Sequence, residues 1–126
     1  MAKLRFPRLW LALGWLLCQL VIYLSLTPAP PDLGVEQGDK IGHLAAYASL
    51  MLWFSLLYYP FRQRITIAIA LVALGIGLEF AQRATGYRSF ELADMAADAL
   101  GVLIGWVLAP PRLPNLLQWL ERRLPH

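Results

Sequence analysis

Residues 9–26 read LWLALGWLLCQLVIYLSL, eighteen positions without a charged side chain. A bilayer's hydrocarbon core is about 30 Å thick and takes roughly 20 mainly apolar helical residues to cross. The stretch therefore predicts a membrane span. A cleaved signal sequence is the competing reading, with Lys3, Arg5 and Arg8 as its basic start. The apolar run exceeds the roughly 7–15 residues of a signal core, and Thr27-Pro28-Ala29-Pro30 is not a small-residue cleavage site. The segment is thus expected to be retained. Cys18, the sole cysteine, lies inside it; with no partner for an internal disulfide it reads as a small apolar side chain.

Moving outward, three further stretches have the same character: residues 41–59 (IGHLAAYASLMLWFSLLYY), 65–82 (ITIAIALVALGIGLEFAQ) and 92–109 (LADMAADALGVLIGWVLA). Proline-rich or charged segments separate them, at residues 27–31, at 60–64 and at Pro110-Pro111. Of the 126 residues, 59% are hydrophobic and 15% charged, and the mean hydropathy is +0.54. Soluble domains hold about 45–50% apolar and about 25% charged residues, so the surplus apolar surface is expected to face a lipid bilayer. The expected fold is all-α: one domain over residues 1–126, a four-helix transmembrane bundle. Beyond it, Leu113, Leu116, Leu117, Leu120 and Leu124 recur at helical spacing, and Arg112, Gln118, Arg122 and Arg123 fall largely opposite. Residues 113–124 therefore predict a short amphipathic helix on the cytoplasmic leaflet.

Charge distribution gives a direction. With the N-terminus inside, Lys3, Arg5, Arg8, Arg62, Arg64, Arg112, Arg122 and Arg123 are cytoplasmic, and Lys40, Arg83 and Arg88 are not. The acids Asp32, Glu36, Asp39, Glu79, Glu91, Asp94 and Asp98 divide the other way, with Glu121 alone inside. By the positive-inside rule both termini are expected in the cytoplasm. The pI near 9.4 then reports topology, and no nucleic-acid partner is expected.

An ionisable residue at the centre of a span costs about 2.5–3.5 kcal/mol on insertion scales, so its position is informative. Asp39, Lys40 and His43 open the second span, with Tyr47 one turn on. Glu79 and Gln82 close the third, on a stripe with Gly75. Arg83 and Arg88 follow in the outer loop, and Asp94, Asp98, Gly101 and Gly105 form one stripe of the fourth span. All the polar members sit near the outer boundary, and lipid exposure would be expensive. They are therefore expected to face one another as a site of Asp39, Lys40, His43, Tyr47, Glu79, Gln82, Arg88, Asp94 and Asp98. Gly75, Gly101 and Gly105 are expected to serve close helix packing.

At these residues the chain resembles the VanZ-like family of small bacterial membrane proteins. The carrying motifs are Asp39-Lys40-Ile41-Gly42-His43 with Tyr47, then Glu79-Phe80-Ala81-Gln82, Arg88, and Asp94-Met95-Ala96-Ala97-Asp98-Ala99-Leu100-Gly101 with Gly105. They cover roughly residues 39–109. The family pattern often has Asn where this chain has Asp98. The family is named for a protein linked to teicoplanin resistance, so the resemblance implies a bacterial inner-membrane, cell-envelope context.

Three readings of the polar set follow. In the first it is a buried ion-pair network that fixes helix packing. In the second it is an outward-facing pocket for a lipid-linked envelope precursor or a glycopeptide: the bases would hold phosphate or carboxylate, and the acids an amine, sugar hydroxyl or cation. In the third, an enzyme, His43 would be a general base oriented by Asp39, Glu79 or Asp94, with divalent-metal binding a variant. HExxH is absent, and Ser49 and Ser89 lack a G-x-S-x-G setting. No metal and no cofactor are therefore expected.

Overall fold

The computed structural model describes residues 4–26, 38–85, 92–110, 112 and 114–124; at residues 38, 39 and 85 it describes the backbone. The described residues form helices only: α1 (Pro7–Leu26), α2 (Gly38–Leu57), α3 (Phe61–Thr85), α4 (Leu92–Leu108) and α5 (Leu116–Arg123). Three of them, α1, α2 and α3, are long and apolar enough to cross a membrane. α4 matches the fourth stretch but has 17 residues and carries Asp94 and Asp98, so it falls short of that standard by itself.

α3 begins at Phe61, and the charged segment expected to be a loop is its first turn. Pro60 provides the carbonyl that accepts the first helical hydrogen bond, from Arg64, a position where its missing N–H is no loss. Seventeen large apolar side chains remain exposed along α1–α4, among them Trp15, Leu16 and Leu20 on α1, Ile69 on α3 and Leu103 on α4. They form the lipid-facing surface that the composition requires. The opposite faces of α1–α4 meet in a core around Tyr47, Leu50, Met51, Leu57, Leu71 and Val102.

The closest pair is α2 and α4, which run parallel. A methyl group added at Gly101 would collide with the Leu44 carbonyl oxygen, and one at Gly105 with the Ala48 carbonyl oxygen. Ala48 opposite both glycines makes a seam of small residues along which the two backbones touch. That seam sets the height of α4 against α2, and hence which side chains meet above it. Gly75 on α3 has a different role: an added methyl would lie 2.6 Å from Asp98 Oδ2, so the glycine makes room for a carboxylate.

Candidate functional site

One turn above the seam, His43 projects from α2 between two carboxylates of α4. Its Nδ1 lies 2.8 Å from Asp98 Oδ1, and its Nε2 lies 3.8 Å from Asp94 Oδ2. The i, i+4 spacing of the acids on one face allows both to bracket a single ring. Asp94 falls in the first turn of α4, where the helix's unpaired N–H groups favour negative charge. Lys40, one turn before His43, puts Nζ 3.6 Å from Asp94 Oδ1. From α3, Glu79 is buried one turn beyond Gly75, the glycine packed against Asp98. Tyr47 lies buried one turn below the imidazole.

Of the nine residues expected to form the site, His43, Lys40, Asp94 and Asp98 are in direct contact, with Tyr47 and Glu79 around them. Gln82 is buried too, but its Nε2 donates to the Ser25 carbonyl of α1 at 2.6 Å and so ties α3 to α1. Arg88 and the Asp39 side chain lie outside the described residues. The solvent edge belongs to Lys40, whose side chain is 28% exposed, against 9% for Asp94 and 3% for Asp98.

A second polar assembly, at the opposite end, escaped the sequence reading. Arg64, expected as a loop base marking the cytoplasmic side, is only 6% exposed. Its guanidinium donates to the carbonyls of Ser55 (2.8 Å), Tyr58 (2.9 Å) and Pro110 (2.8 Å). It thereby binds the C-terminal ends of α2 and α4, where helical carbonyls lack partners. Asn115 adds an Nδ2 bond to the Leu56 carbonyl at 2.9 Å, and its Oδ1 caps α5 by accepting from Leu117 and Gln118. Glu121 of α5 accepts the backbone N–H groups of Arg5 and Phe6 and the Trp10 indole, at 2.7, 2.8 and 2.7 Å. The tail helix therefore docks on the start of α1 through Glu121, with Leu117 buried in the core and Leu116, Trp119 and Leu124 exposed. Burial pushes the Glu121 carboxyl up, but those donors and the Arg5 charge outweigh it and hold the group below its ordinary value.

The fold and cluster define a class: a helical membrane protein with a carboxylate–imidazole cluster where two parallel helices begin. The family model VanZ/LLP1 matches residues 8–117, and the chain belongs to that family. An uncharacterised protein of Schizosaccharomyces pombe, C11E3.10, is 35% identical over 89 residues, 68% of this chain and 53% of that protein. The chain spans about half the length of this curated relative. No solved structure matches the chain.

Proposed function

We propose that this protein uses the cluster at the start of α2 and α4 as an outward-facing binding site for a polar cell-envelope molecule, a lipid-linked precursor or a glycopeptide-type ligand, and so influences envelope or antibiotic tolerance. The observation that carries the proposal is the bracketing of His43 by Asp94 and Asp98 next to the part-exposed Lys40. Carboxylates suit ligand amines and sugar hydroxyls, and Lys40 suits a phosphate or carboxylate at the rim. In the proposed setting α4 is the fourth span of a single membrane domain in a bacterial inner membrane. Its termini are cytoplasmic, as the charge asymmetry and the VanZ-like motifs suggest; the fungal relative supplies neither point.

A structural ion-pair network is the second reading, favoured by the short His43–Asp98 contact and the burial of Glu79 and Asp98. Glu79→Gln and Asp94→Asn separate the two. Both keep shape and hydrogen-bonding capacity while removing charge. A binding site requires near-normal folded yield from detergent extracts with loss of glycopeptide or envelope tolerance. A packing network requires yield and tolerance to fall together, because stranding one partner of a buried pair costs about 3–5 kcal/mol. Orientation is tested with Gln63→Cys in a Cys18→Ala background. No labelling by an impermeant external reagent is expected; labelling in intact cells would reverse the topology.

A further inference from the structure

A groove of about 310 Å³ opens beside the buried Arg64, walled by Leu103, Trp106, Val107 and Pro110 with Arg112 at its rim. That volume is at the low end of small-molecule sites. Arg64 is 6% exposed, and its partners are three carbonyls and the Tyr59 ring, 5.3 Å away. No carboxylate pairs with it among the described residues. Three of its five N–H groups are used. The partial negative charge of the helix ends offsets it in part, but Arg112 adds a second full charge that the described residues leave without an acid. Leu103 and Val107, 56% and 44% exposed, continue the apolar wall along α4 toward the bilayer.

We propose that this groove binds an anionic phospholipid of the leaflet at the arginine-rich end. The phosphate would lie between Arg112 and the remaining Arg64 donors, with the start of an acyl chain against Leu103 and Val107. An arginine pair suits a phosphate through planar, forked donors. The sloping apolar wall suits a lipid, since a soluble anion would leave it without a partner.

The test uses purified full-length protein in neutral detergent, with native mass spectrometry to count retained lipid and thermal unfolding as a second readout. Phosphatidylglycerol should be retained in preference to phosphatidylcholine and should raise the unfolding temperature. Arg112→Gln should lower the preference about fivefold, the usual effect of one arginine at an anionic surface. The Arg112 side chain makes no hydrogen bond or ion pair among the described residues, so folding should be intact. Val107→Trp, which fills the groove without changing charge, should lower retention as well. Arg122→Gln on α5 is the control and should change neither. Equal loss in Arg122→Gln and Arg112→Gln would mean diffuse surface attraction and overturn the site. Retention unaffected by Val107→Trp would also overturn it. Stabilisation by inorganic phosphate equal to that by phosphatidylglycerol would overturn the lipid assignment.

Discussion

The two ends of the parallel α2–α4 pair solve opposite problems. At one end both helices begin, and Asp94, Asp98, Lys40 and His43 are collected there. At the other end both helices finish, and Arg64 and Asn115 bind their carbonyls. The first assembly joins side chains to side chains. In the second, side chains meet main-chain groups that any sequence possesses. The comparison teaches that polar residues at the two ends of one helix pair differ in kind. Three of the Arg64 donors are closed on the backbone and serve the fold, leaving two for the lipid proposed above, while the charges around His43 are closed on one another.

Breaking the finishing end should have the largest effect on stability. Arg64→Leu removes three hydrogen bonds from a charged donor, each worth about 1.5–3 kcal/mol. Folded yield in detergent should collapse, and Arg64→Lys should recover only part of it, because an ammonium lacks the planar fork. Normal yield from Arg64→Leu would abolish the distinction between the ends.

Gly105→Ala comes next. The new methyl would strike the Ala48 carbonyl and Met51 Cβ, which are not free to swing away. Overpacking of this kind costs about 1–3 kcal/mol, to be measured as a fall in unfolding temperature. The His43–Asp98 contact should be disturbed as well, since the seam sets its register.

The Glu121 latch should respond to pH. Its carboxyl is held below the ordinary value of 4.5 in the folded protein, so its contribution is fully present above that pH. The contribution is lost as pH falls through the lowered value. The hydrogen-exchange protection of residues 116–123, taken relative to the intrinsic rate at each pH, should therefore fall on acidification below pH about 4.5 in wild type. In Glu121→Gln the protection should be low already at neutral pH and change little with acid.

The smallest effect is expected for Gly75→Ala. The added methyl meets a carboxylate end, Asp98 Oδ2 at 2.6 Å, which can rotate. Stability should drop by less than for Gly105→Ala, while occupancy of the His43 site, read through envelope tolerance, should fall. A loss of stability equal to that of Gly105→Ala would show that Asp98 is as rigidly held as the backbone.

The beginning end was legible because charge inside an apolar run is conspicuous, and because i, i+4 spacing puts Asp94 and Asp98 on one face. The glycine stripe on α4 was legible for the same reason. Gly75 was read as a packing glycine like the others, since spacing does not reveal that its neighbour is a carboxylate. Arg64 was opaque. An arginine at the edge of a span looks like a topology marker, and its carbonyl partners carry no side-chain signature. Asn115 was available to a capping rule, but the amphipathic helix expected from residue 113 placed it inside the helix, which in the structure begins at Leu116. Glu121 was counted as the lone inner acid, and nothing in its spacing pointed to the N–H groups of Arg5 and Phe6.

The Gly101–Gly105 seam has a consequence for how the protein is made. In the four-span arrangement proposed above, α4 emerges after α2 during synthesis, and it is short and doubly acidic. Partitioning alone into lipid would leave Asp94 and Asp98 without His43 and Lys40, at a cost for each acid that rises with its depth toward the bilayer centre. α2 is by then already synthesised and offers Ala48 as a groove for the two glycines and His43 as a partner for the acids. Membrane entry of α4 then becomes a docking step templated by an earlier helix, and disturbing the α2 face should stall biogenesis before it affects any ligand.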